Sequence, residues 1–230
     1  MALVAFNSEI APIAEQVSEP MLGHIRLAWW REALDEIYAG SAPRNHIVVQ
    51  ALAVAIGAHD LPRDLFDRML EGRMMDLESK QGIQSWEDFL AYLDATVVPL
   101  HQLMALVSGS DTDVRDCARR YGMAGLLRAM PYHLQHGVIR QPLACLQEHG
   151  LSPEAVERGD ETERLRAYVM AMVERVQLLP RAEGALVIRL MDKVAQSYMG
   201  LLIKRDYQLS ALPARLPWLP LRLWVMSLRG

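Results

Sequence analysis

No stretch of eighteen consecutive apolar residues occurs in the 230-residue chain, so the sequence offers no evident membrane-spanning helix. The opening residues, 1–11, lack a basic segment and a cleavage site, so no signal peptide is expected. Cysteine is scarce. Cys117 and Cys145 fit no metal-ligand spacing and are expected to be buried, reduced thiols of a cytoplasmic protein. Aromatic residues make up only 7% and β-branched runs are few, which favours helices over sheets. There is no excess of positive charge: 24 Lys and Arg stand against 28 Asp and Glu, a formal net charge of -4. That balance lacks the electrostatic footprint of a nucleic-acid binder. Gly-rich phosphate loops, nucleophile elbows and His-Glu zinc helices are also missing.

What is present is apolar and helical. Hydrophobic residues reach 51%, enough with this length for a well-buried core. The order Ser18-Glu19-Pro20 is a helix-start signal, with Ser18 as the expected cap, and the helix should run to Gly40. Further helices are expected over 45–58, from Asp60 to Ser79, from a Ser85 cap to Val107 with a kink at Pro99, and over 111–130, ending before Pro131. A loop near Gly137, short helices at 142–149 and after Pro153, and long amphipathic helices over 160–179 and 182–206 follow. The expectation is one all-α domain over residues 1–230, with 207–230 a Pro-rich tail closing in a short helix.

Asp60 and Asp64, four apart, would share a helical face and could hold Mg²⁺. The bland alternative is that both acids sit at a helix start, where they favour the dipole. Asp111, Asp113 and Asp116 invite the same capping reading. His133 and His136 have a spacing that can share a metal, but no third ligand is evident. Thirteen Met residues at helical spacings fill a core or line an adaptable apolar cavity.

Several stretches go further. Residues 18–40, SEPMLGHIRLAWWREALDEIYAG, and residues 70–78, LEGRMMDLE with its Gly-x-x-x-Asp-Leu order, resemble the squalene/phytoene synthase family. Tyr92 resembles the tyrosine that leads that family's fourth helix, and the likeness covers roughly residues 5–206. It implies an isoprenoid-synthase-like helical bundle around a central apolar cavity. Catalytic members use two aspartate-rich motifs to hold Mg²⁺ against prenyl diphosphates. The first falls within residues 5–15, where this chain has Ala11 and Pro12 and keeps only Glu9 and Glu15. The second falls at 128–133, where it has Arg128-Ala129-Met130-Pro131-Tyr132-His133, and no carboxylate lies between Gly122 and Pro142.

This pattern resembles the branch containing the mitochondrial complex I assembly factor, through the Ala-Phe-Asn start, Arg128 to His133, and Leu219 to Leu221. The resemblance implies a non-catalytic protein that binds a lipid, an isoprenoid or a protein partner, with no cofactor. The alternative is an active prenyltransferase condensing prenyl diphosphates head to head with Mg²⁺. In that case Glu9, Glu15 and Asp76 are the acids to test. Tyr92, Arg128, Tyr132 and His133 are the expected cavity-lining residues under either reading, and no metal ligand is assigned. The expected location is the cytoplasm; the Arg- and Trp-bearing tail, residues 213–230, either contacts the inner membrane surface or packs its apolar side back onto the domain with its arginines solvated.

Overall fold

A computed structural model describes residues 1–78, 81–158 and 162–212. Among the described residues the protein is all-α apart from one pair of short strands. The Pro-rich tail from residue 213, with its expected terminal helix and membrane contact, lies outside the described residues. The chain groups into two compact units. One comprises Met1–Ser79 and Asp94–Asp111, the other Lys80–Leu93 and Thr112–Gly230.

The first unit opens with α1 (Ala2–Ile10) and α2 (Ile13–Gln16), followed by α3 (Pro20–Tyr38), α4 (Ile47–His59) and α5 (Arg63–Glu78). Helix α6 (Trp86–Thr96) begins in the second unit and ends in the first, and α7 (Val98–Val107) follows it. Leu3, Phe6 and Ile10 recur at helical spacing and turn one face of α1 inward. Phe6 meets Trp30 and Phe66 edge to face, at centroid distances of 5.2 and 5.7 Å, which ties α1 to α3 and α5. Helices α3 and α5 approach closely at Gly23, where a Cβ would sit 2.3 Å from a methyl carbon of Leu77. Tyr38 Oη donates to the Leu61 carbonyl at 2.6 Å, and burial pushes its phenol up to about 12.

Three expectations for this unit change. Ser18 does not cap α3: Glu19 occupies the N-cap position in extended conformation, with Pro20 starting the helix. Asp60 and Asp64 do not share a helical face. Asp60 closes α4 in the left-handed region at φ 48°, and Asp64 lies in the first turn of α5. Pro99 does more than kink a helix: α6 ends at Thr96 and α7 starts at Val98, because a proline in the first turn has no N–H to give its predecessor. Ser85 caps as expected, its Oγ accepting from Asp88 N–H at 3.0 Å while the Asp88 carboxylate accepts from Ser85 N–H at 3.2 Å. By length and composition alone, Trp86–Val107 is apolar enough to cross a membrane, with half of its most apolar window buried.

The second unit holds β1 (Gln81–Ile83), α8 (Arg115–Gln135), β2 (Ile139–Pro142), α9 (Leu143–Glu148), α10 (Pro153–Glu157), α11 (Glu163–Leu178) and α12 (Leu186–Lys204), then a 3-10 turn at Leu209–Ala211. The strands pair in parallel, Gln81 opposite Ile139 and Ile83 opposite Pro142, which the sequence reading did not anticipate. Helix α8 passes through Pro131 instead of stopping before it, and runs on to Gln135. Its start is also later than expected. Asp113 accepts from Arg115 N–H at 2.9 Å, Asp116 lies in the first turn, and Asp111 precedes the helix.

Buried polar groups fasten this unit. Arg120 Nε lies 2.9 Å from Asp192 Oδ1, and its Nη1 donates to the carbonyls of Val176 at 3.1 Å and Leu179 at 2.9 Å. One guanidinium therefore joins α8 to α12 and satisfies carbonyls at the C-terminal end of α11. Gln141 accepts from the fully buried Tyr168 hydroxyl at 2.8 Å and donates to Leu126 O at 3.4 Å. Burial raises the Tyr168 phenol well above its ordinary range.

Candidate functional site

The segment expected to hold the second aspartate motif is the C-terminal half of α8. Arg128, Tyr132 and His136 lie four residues apart and are exposed along one face of it. The Arg128 guanidinium sits over the Tyr198 ring of α12, 5.3 Å from its centroid. Tyr132 and His136 have ring centroids 4.3 Å apart, tilted at 36°, and Tyr132 meets the His133 ring at 6.1 Å. His133 itself is buried. His136 places Nδ1 2.8 Å from Tyr132 O, so its ring is held against its own helix. The expected lining residues Arg128, Tyr132 and His133 are thus neighbours, whereas Tyr92 is buried on α6.

The three acids are placed differently. Asp76 is buried on α5 and pairs with Arg73 at 3.1 Å. A carboxylate neutralised in that way is a poor anchor for a metal ion. Glu9 is exposed on α1 and Glu15 is exposed on α2. Among the described residues, no group of three or more His, Cys, Asp and Glu side chains is arranged to hold a metal ion. Mg²⁺ takes hard oxygen ligands, and the α8 stretch offers a guanidinium, a phenol and imidazoles instead. These donors do not fit the family's metal, and no chemical step through it follows from them.

A groove of about 310 Å³ lies in the first unit. Ile13, Ile25, Trp29 and Trp30 form its apolar walls, and Glu9, Gln16 and Arg26 contribute polar groups. Of the acids singled out in the sequence, it takes in Glu9. The tryptophans are held from behind: His46 meets Trp29 and Trp30 edge to face at 5.5 and 5.3 Å, and Arg44 stacks over Trp29 at 5.1 Å. Arg44 also donates to Glu32 at 3.0 Å and to Glu36 at 2.8 Å, and that hydrogen bond holds the Glu36 carboxyl below its usual range. Sequence reasoning missed this groove. The pair Trp29-Trp30, followed by Arg44 and His46, was its available signal.

The chain superposes on a squalene synthase, HpnC, from Alicyclobacillus acidocaldarius with a TM-score of 0.74 at 19% identity, over 90% of this chain and 82% of that one. A dehydrosqualene synthase in complex with ligand gives a TM-score of 0.80 at 14% identity, over 99% and 84%. The architecture is therefore that of the isoprenoid synthases. The squalene/phytoene synthase family profile matches residues 1–222, and the chain belongs to that family. Among characterised relatives, the mouse (Mus musculus) protein named NADH dehydrogenase (ubiquinone) complex I, assembly factor 6 is 26% identical over 186 residues. That match takes in 77% of this chain and 54% of the relative, so the chain spans about half the length of the relatives of that name.

Proposed function

We propose that this chain is a non-catalytic member of the squalene/phytoene synthase family, acting by binding a protein partner in an assembly role. The observation that carries the reading is the chemistry of α8. Where prenyl transfer needs carboxylates to gather Mg²⁺ around diphosphate, α8 presents Arg128, Tyr132 and His133. Asp76 is paired with Arg73 at 3.1 Å. The complex I assembly factor relatives support the choice of a protein partner. The location we propose, a cytoplasmic protein with peripheral contact at the inner membrane surface, rests on the sequence and not on these relatives, and fractionation with a high-salt wash tests it.

The deciding experiment offers purified protein a prenyl diphosphate with and without Mg²⁺. The expected outcome is no condensed product and no Mg²⁺-dependent heat of binding in calorimetry. A Mg²⁺-dependent product whose formation is lost in Asp76→Asn or Glu9→Gln would restore the prenyltransferase reading. Saturable binding of the prenyl diphosphate without product would move the proposal from a protein partner to an isoprenoid ligand.

A further inference from the structure

The groove of the first unit adjoins an unusual surface. Met21 is 65% exposed, Leu22 47% and Ile25 58%, all within two turns of α3. Ile25 also forms part of the groove wall, so the exposed apolar strip and the groove are continuous. Large apolar side chains displayed together on one helix mark a contact surface more often than a solvated one. The exposed charge around them is mostly acidic. Glu9, Glu15 and Glu19 are exposed on or beside the groove elements, and Arg26 is the single Arg or Lys among residues 1–30. Arg26 itself lines the groove, where it donates to the neutral Gln16 Oε1 at 3.2 Å and keeps its charge.

We propose that this groove between α1, α2 and α3 is the docking site for an amphipathic helix of a protein partner, with a basic side chain at the edge of its apolar face. The apolar stripe of such a helix lies along Met21, Leu22 and Ile25 and onto Trp29, and its basic side chain pairs with Glu9. Helices seat in grooves of this kind through apolar anchors one turn apart. The excess of carboxylates selects a basic partner and disfavours the headgroups of an anionic membrane. The inference rests on the proposed function, whose protein partner it places, and concerns a different surface from α8. Prenyl transfer would engage Glu9, so Ile25→Glu, at a position with no part in that chemistry, keeps the two readings apart.

The test uses the full chain and a fluorescein-labelled amphipathic helical peptide of Leu and Lys, read by fluorescence anisotropy at physiological salt. A Leu and Glu peptide of the same pattern is the control. The Leu/Lys peptide is expected to bind. Ile25→Glu should weaken it roughly tenfold or more, the loss typical of an apolar anchor. Glu9→Gln should weaken it roughly fivefold, as for one partly exposed ion pair. Glu174→Gln, at an exposed acid of α11 in the other unit, should leave binding unchanged. All three positions are exposed, so unchanged circular dichroism and melting will show that the variants fold. Equal binding of the Leu/Glu peptide, or no effect of Ile25→Glu and Glu9→Gln, overturns the proposal. So does cosedimentation with neutral phosphatidylcholine vesicles that Ile25→Glu abolishes, which gives the groove to lipid. A dimer in light scattering that Ile25→Glu dissociates gives it to a second copy and overturns the proposal equally.

Discussion

Arg120 and Asp192 stand 72 positions apart in sequence and 2.9 Å apart in space, both almost wholly buried. Gln196 donates to the second Asp192 oxygen at 2.6 Å, so the carboxylate is fully engaged. Breaking such a pair strands a charge in the core. Asp192→Ala is expected to cost about 3–5 kcal/mol in chemical denaturation. The double variant Arg120→Met with Asp192→Leu should recover only part of the loss. The rest reflects the Val176 and Leu179 carbonyls, which lose the donor that Arg120 supplies.

Two glycines on neighbouring helices should respond oppositely to alanine. A Cβ on Gly72 would lie 2.8 Å from Thr96 Cγ2 and 3.1 Å from the Ala95 carbonyl carbon. Gly72→Ala must therefore push α5 off the end of α6, at about 1–3 kcal/mol. Gly57 on α4 is exposed with nothing within 4 Å, so Gly57→Ala should stabilise by roughly 0.5–1 kcal/mol. Thermal melts of the two variants should shift in opposite directions.

Acid should weaken the first unit through His101. Burial drives its imidazole from 6.5 down to about 4, against the opposing hydrogen bond to the Val97 carbonyl. Between those values the unfolded chain takes up a proton that the native state refuses. The stability contribution is therefore complete above pH 6.5 and declines as pH falls to about 4. At ~1.4 kcal/mol per pH unit the loss amounts to about 3 kcal/mol. Urea titrations at several pH values should show this slope, and His101→Leu should flatten it.

Asp60 holds φ 48° at the end of α4, with its N–H bonded to Ile56 O. Glycine adopts that conformation without the clash of a Cβ. Asp60→Gly should raise stability by about 1 kcal/mol, measured as a higher denaturation midpoint.

The helical order was readable because the apolar spacing of each segment repeats what its own buried face requires, as with Leu3, Phe6 and Ile10. Errors arose where a local signal has two meanings. Asp60-Leu61-Pro62 has the composition of a helix start, yet Asp60 belongs to the helix before it. Pro131 reads as a stop, but α8 packs on α11 and α12 along its length and tertiary contact outweighs one missing hydrogen bond. The strand pair has no local signal, because two short segments 58 residues apart define each other. At the site, the replacement of acids by Arg128, Tyr132 and His133 is visible in residue identity alone. The groove is not, since three separate helices build it. The buried pair left a trace: Asp192 shares a helical face with Ile188, Ala195 and Met199, an acid on an otherwise apolar stripe.

The pairing of Gln81–Ile83 with Ile139–Pro142 also bears on how the chain is made. During synthesis, β1 emerges from the ribosome well before its partner, and the ribosome must first deliver Asp94–Asp111, which belong to the other unit. The nascent chain therefore holds an unpaired strand and an unfinished unit at the same moment. Neither unit corresponds to one continuous piece of sequence, so a cut at residue 79 would separate α7 from the helices it completes. A released chain ending between residues 112 and 138 should show a first unit already resistant to protease, followed by residues that are still digestible.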